Sequence, residues 1–189
     1  TEFAEWVSPG FPIMPTWEVT EKLDGSSMTV YVNEQDHGVC SRNLNLYDTE
    51  GNTLWQVAHR DQILTAIQDS QRNIAIQGEL IGEGIQGNPY KIKGQTVRFF
   101  TGFDIDKYQR ISFPELVVML SDMGLQYVPI LNQELGFVLP ETVEDMLKYA
   151  EAKSVLNDKT EREGVVVRSM DGTISFKAIS NVFLLKNEC

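Results

Sequence analysis

Lys22 and Asp24 stand either side of one leucine and run straight into a glycine, in the stretch Glu21-Lys22-Leu23-Asp24-Gly25. A lysine amine is a nucleophile only when neutral, and a nearby cation favours that state. A carboxylate two positions on can hold a metal ion. Read alone, the same residues make a hairpin turn. Asp-Gly suits a tight turn, and Lys22 is then a solvated surface charge. Further charges recur beside apolar stretches: Arg42 in SRN, Glu79 in GELIG, Glu163 in EGVVVR and Lys177 in SFKAIS. A charge at the edge of a core is costly unless it is paired or used. Each one singly reads as structural. Taken in chain order at strand ends, they can converge on one groove.

The elements that must position them follow from periodicity. WEVTEK and SSMTVYV alternate and read as two strands around the Asp24-Gly25 turn. HGVCSRN reads as a short strand, NIAIQGELIG as a buried one, and TVRFFTGFDID as another with aromatics and an acid near its end. LWQVAHRDQILTAIQ reads as a single helix, with Leu54, Val57, Ala58, Ile63, Leu64 and Ile67 on its apolar side. SFPELVVMLSDMG opens on Ser and Pro and closes on Gly124, and PETVEDMLKYAEAKSVL opens on Pro140 and acids, so both read as helices. REGVVVRSMDGTISFKAIS reads as a hairpin turned by Asp171-Gly172, and residues 1–15, rich in Pro and aromatics, as an irregular lead-in. Strands outnumber helices and do not alternate with them strictly. The class is α+β, with two largely antiparallel β-sheets flanked by helices.

The chain of 189 residues is long enough for one domain with a substantial core. Apolar residues make up 42% and charged ones 23%, as in ordinary globular proteins. No apolar run approaches the roughly 20 residues of a membrane helix, and no signal-peptide pattern opens the chain. Two cysteines, Cys40 and Cys189, form no disulfide framework and suit a reducing cytoplasm, the location expected here. His37 and His59 lack any zinc-ligand spacing. The net charge of −11 repels phosphate backbones at long range. That argues against a module built for tight nonspecific nucleic-acid binding, but leaves room for an enzyme with a local basic site.

In order, KLDG, SRN, GELIG, FFTGFDI, EGVVVR and SFKAIS resemble the motifs of the covalent nucleotidyltransferase superfamily, which contains ATP-dependent DNA and RNA ligases and messenger-RNA capping enzymes. The match spans residues 19–186. GELIGEGIQGNPYKI and FKAISNVFLLK are closer to RNA ligases, and closest to the branch of the Naegleria and Deinococcus RNA ligases. The resemblance implies a nucleotidyltransferase (ligase adenylation) domain that uses ATP. Lys22 would carry AMP, and Lys177 would meet the phosphate. Asp24 and Glu163 would hold Mg²⁺ or Mn²⁺. Glu79 would take a ribose hydroxyl or help with metal water. Phe103 would stack on adenine, with Phe99 and Phe100 as rivals. Glu21 would read the adenine amine and Arg42 would contact ribose or a nucleic-acid phosphate. Gly25 belongs to the same nucleotide-binding set. The partner would be RNA with a 5′-phosphate and a 3′-hydroxyl. In that branch an oligonucleotide-binding (OB) domain precedes the catalytic one. A chain starting at Thr1 without Met is therefore expected to be a piece of a longer ligase, working as a monomer away from membranes.

One departure stands out. Many members carry two lysines around a single residue in the last motif, but here Ala178 and Ile179 follow Lys177, and Lys186 is the next lysine. Lys91 and Lys93 read equally as a nucleic-acid contact or a solvated loop. Three alternatives share or mimic the pattern: a DNA ligase, a GTP-using capping enzyme, and a catalytically silent binding module.

Overall fold

Strand pairing puts Lys22 at the end of a strand of one sheet, and Asp24 on the lead into a strand of the other. The computed structural model describes residues 17–132, 138–170 and 172–187. Strand β1 (Trp17–Lys22) does not pair with β2 (Ser26–Val32). Instead β1 pairs antiparallel with β8 (Gly164–Ser169), and β2 pairs with β3 (His37–Cys40) and β5 (Ile74–Gly82). The hairpin expected at Asp24-Gly25 is therefore absent, and the glycine has another purpose. A Cβ on Gly25 would lie 2.3 Å from the Leu80 carbonyl oxygen, so the backbone can approach β5 there only without a side chain.

The described chain divides into two compact units. Residues 24–128 make one. Its six strands, β4 (Asn45–Leu46), β3, β2, β5, β6 (Gln95–Asp104) and β7 (Gln109–Arg110), form one sheet in that order, antiparallel throughout. Alternation gives each strand one core face: Met28 and Val30 on β2, Ile74, Ile76 and Leu80 on β5, and Val97 and Phe99 on β6. Helices α1 (Thr53–Arg60), α2 (Ile63–Asp69) and α3 (Phe113–Asp122) add Val57, Ile67 and Leu120 to the same cluster. Burying a side chain such as Phe99 contributes about 1.5–3 kcal/mol.

The single helix expected over 54–68 is two. Ala58 and Ile63 are five residues apart, which turns a continuous helix by about 140° and takes Ile63 off the apolar face. The chain resets its phase at Asp61 and Gln62, the latter left-handed at φ 54°, and each short helix then presents its own stripe.

The other unit joins the segment ending at Leu23 to the chain from Pro129 onward. Its three-stranded sheet runs β1-β8-β9, with β9 at Ser175–Ile179. The β8–β9 hairpin is as expected; Asp171 of its turn, the lead-in of residues 1–15 and Cys189 lie outside the described residues. Helix α4 (Val143–Ala150) is shorter than the sequence suggested at both ends. Thr142 caps its start by accepting from the Asp145 N–H, and Arg162 closes its end by donating to the carbonyls of Tyr149 and Ala150. Helix α5 (Asn181–Asn187) was not anticipated, though Ser180, which accepts from the Phe183 N–H, is its start signal.

Candidate active site

In the three-stranded sheet, antiparallel partners share a face. Lys22, Gly164 and Ile179 form one row across β1, β8 and β9, and Thr20, Val166 and Lys177 form the next. Lys22 and Lys177 thus lie on one face, one row and two strands apart. The opposite face carries Trp17, Val19, Val165, Val167 and Ala178, the apolar core of this unit. The Lys22 amine donates to Glu163 Oε1 at 2.5 Å, with the side chains 25% and 16% exposed. The contact fixes the position of the amine. Ile179 occupies the position where the motif elsewhere carries a second lysine, in the same row as Lys22. Lys186, the alternative cation, sits on α5 at 3.6 Å from Glu161.

Glu21 points to the core face and is 1% exposed. Its Oε2 accepts from the Val155 N–H at 2.8 Å, and its Oε1 is buried with no hydrogen-bond partner among the described residues. Burial raises its pKa above the usual carboxylate value, while Ser154, the Val155 N–H and Arg162 act the other way. Glu21 is the strand neighbour of Lys22 but on the opposite face, and a carboxylate oxygen without a protein partner has the chemistry to accept from an amine.

In the six-stranded sheet the second face, away from the helices, is polar. Register places Glu79 opposite Ser27 and Arg98, Gln77 opposite Thr101, and Phe103 opposite Ala75 and Arg110, all on that face. This separates the three candidate aromatics. Phe99 is 1% exposed in the core. Phe100 falls at the bulge in the β5–β6 ladder, half-buried. Phe103 shares the face of Glu79, and its ring meets Tyr108 edge-on at 5.4 Å. Asp104 turns to the other side, where Lys107 and Arg72 bond its carboxylate. Asp24 is half-buried, and its N–H donates to the Tyr90 hydroxyl at 2.6 Å. Tyr90 was not singled out from sequence; it is 4% exposed, a buried tyrosine whose hydroxyl positions the backbone of Asp24. Arg42 is exposed in the turn after β3, and Lys91 and Lys93 are exposed.

Among the described residues no three His, Cys, Asp or Glu side chains form a cluster able to hold a metal ion unaided. His59 pairs with Asp48 at 2.8 Å on the surface. Asp24 and Glu79 of one unit and Glu163 of the other each offer oxygen donors, the type that suits Mg²⁺ or Mn²⁺. Such ions take one or two carboxylates and complete their shell with phosphate and water.

An α+β fold of two antiparallel sheets, with a lysine and a glutamate bonded at the end of one and a polar face on the other, is the architecture of a nucleotidyltransferase. The chain belongs to the RNA ligase family, whose model matches residues 15–186. A variant of the Naegleria gruberi RNA ligase solved with ATP and manganese is similar at 40% identity and a TM-score of 0.87, covering 100% of this chain and 55% of that one. A variant with AMP and manganese gives 40% and 0.86, covering 99% and 54%. An apo variant gives 43% and 0.84, covering 92% and 52%. The chain thus spans about half the length of these solved relatives. No curated protein matches it.

Proposed function

We propose that this chain is the adenylylating catalytic domain of an ATP-dependent RNA ligase, part of a longer protein that includes an oligonucleotide-binding domain. The observation that carries the reading is the Lys22 amine bonded to Glu163 at the end of β1, in a chain of the RNA ligase family. The Lys22 nitrogen attacks the α-phosphorus of ATP, the bond to the β-phosphate oxygen breaks, and pyrophosphate leaves with AMP on the lysine. A 5′-phosphate of RNA then displaces the lysine and takes the AMP. A 3′-hydroxyl attacks that activated phosphate, AMP leaves, and the strand is closed.

Glu163 steadies the amine before attack. Lys177 supplies fixed positive charge for the phosphate oxygens as negative charge grows on them. Glu79 accepts from a ribose hydroxyl, Phe103 stacks on the base, Glu21 accepts from the adenine amine, and Arg42 binds ribose or a strand phosphate. Gly25 allows the backbone beside Asp24 to lie against β5. A magnesium or manganese ion held by Asp24, Glu79 and Glu163 would offset charge on the α-phosphate. The domain acts as a monomer inside the cell. Among the described residues no helix is long and apolar enough to cross a membrane.

The test is incubation with α-labelled ATP and metal, followed by denaturing electrophoresis. Label should stay with the protein, and α-labelled GTP should give none. A chain that never retains label under any metal is not a nucleotidyltransferase, and one that prefers GTP is of the capping type.

A further inference from the structure

The chain has seven arginines. Five of them bond protein groups: Arg60 to Asp61, Arg72 to Glu115, Arg110 to Thr101, Arg162 to carbonyls at the end of α4, and Arg168 to Glu18. Arg42 is exposed, where its charge stays solvated without a protein partner among the described residues. Arg98 is different. It is half-buried, its Nε is fully buried, and its side chain makes no hydrogen bond or ion pair with any described residue.

Its direction follows from the strand. Val97 and Phe99 on either side are core residues, so Arg98 must project from the polar face of the six-stranded sheet. There it stands directly opposite Glu79 in the ladder, with Thr101 and Phe103 further along the same face. The position cannot drift. A Cβ on Gly78, next to Glu79, would come within 2.6 Å of the Arg98 carbonyl oxygen, so the two strands are held in close contact at this point. Burial works against the charge on this guanidinium, and a guanidinium does not give up its proton. An apolar side chain would fill the same place without that cost. A half-buried cation kept without a protein partner is a receptor for an anion, and its planar fork fits two phosphate oxygens at once.

We propose that Arg98 is a phosphate-binding residue of the polar sheet face and takes a phosphoryl group of the substrate. That the anion is a phosphate, supplied either by ATP or by the 5′ end of RNA, rests on the proposed function. Arg98 is not among the residues the ligase motifs pick out.

The test compares wild type with Arg98→Gln and Arg98→Lys in three measurements. Inorganic tripolyphosphate should raise the melting temperature of wild type and leave that of Arg98→Gln unmoved, a readout that needs no catalysis. The apparent affinity for ATP in forming Lys22-AMP is the second. The third is fluorescence anisotropy of an oligoribonucleotide carrying either a 5′-phosphate or a 5′-hydroxyl. Arg98→Gln should weaken one of the last two by about tenfold to a hundredfold, as expected for a lost charge-assisted bond, and Arg98→Lys should restore part of it. A loss confined to ATP assigns the nucleotide phosphates, and a loss confined to the 5′-phosphorylated strand assigns the RNA end. Equal tripolyphosphate shifts with both affinities within twofold of wild type would overturn the proposal. So would a failure of both variants to fold, which would make Arg98 part of the fold. A wild type that never forms Lys22-AMP would overturn the proposed function, while the tripolyphosphate comparison would still decide the role of Arg98.

Discussion

Lys22 Nζ and Glu163 Oε1 lie 2.5 Å apart across the end of the β1–β8 ladder, joined by residues 141 positions apart in the chain. The pairing Lys22↔Gly164 fixes the register that makes this contact, so the sheet, and not a local turn, aims the amine. Lys22 is the expected site of AMP attachment. Intact-mass measurement after incubation with ATP and metal should show a single AMP added, and Lys22→Ala should abolish it. An adduct that survives in Lys22→Ala would assign the nucleophile elsewhere.

Glu163→Gln keeps the shape and removes one negative charge. Formation of Lys22-AMP should slow by about 10²-fold, the effect of losing one strong electrostatic contact of roughly 2.7 kcal/mol. The partly exposed ion pair itself contributes only about 0–1 kcal/mol, so melting should fall by no more than about 4 °C. Single-turnover rates against metal concentration, with thermal melts alongside, read both effects. A Gln variant as fast as wild type would remove Glu163 from the chemistry.

The three aromatics of FFTGFDI should behave differently. Phe103→Ala should weaken ATP by about 5–150-fold, the range of one base–aromatic stack of about 1–3 kcal/mol, with little change in melting. Phe99→Ala, in the core, should instead lower stability by about 3–5 kcal/mol. Nucleotide titration and denaturant unfolding separate the two. Reversed outcomes would mean that sheet face does not decide which ring meets the base.

Glu21 gives a pH signature. Its folded pKa is raised above the usual 4.5, chiefly by burial, so the native state binds more protons than the unfolded chain in that window. Stability attributable to Glu21 is greatest below the unfolded pKa and falls as pH rises through the raised folded value. Glu21→Gln keeps an acceptor for the Val155 N–H and does not titrate. The difference in unfolding free energy, wild type minus Glu21→Gln, should therefore decline as pH is taken upward from 4.5. A flat difference would show that burial does not govern this carboxyl.

Gly25→Ala places a methyl group against the Leu80 carbonyl. Overpacking of this kind costs about 1–3 kcal/mol, or a melting point lower by about 2–12 °C. Unchanged melting would show that the backbone beside Asp24 has room to move.

Much of this was readable in the residues. Alternation in SSMTVYV, NIAIQGELIG and TVRFFTGFDID marked the strands that build the six-stranded sheet, because each buries one face only. What escaped was decided by distant pairing. Nothing local distinguishes a hairpin at Asp24-Gly25 from a crossover between sheets, since the partners of β1 and β2 lie far along the chain. The break between α1 and α2 was visible in the five-residue gap from Ala58 to Ile63, a phase slip that a list of apolar positions conceals. Arg98 could not be found from sequence. Its interest lies in the partner it lacks, and an unmet bond has no letter.

The same long pairing sets an order of assembly. Every ladder of the six-stranded sheet is closed by residues between Ser26 and Arg110, whereas β1 waits for β8, which begins at Gly164. Closing a longer loop costs more entropy, and distant pairings form late. During synthesis Lys22 emerges well ahead of its glutamate, which follows more than a hundred residues later. A growing chain can thus complete one sheet before the other is able to close, and the amine of Lys22 meets its glutamate only once β8 has been made.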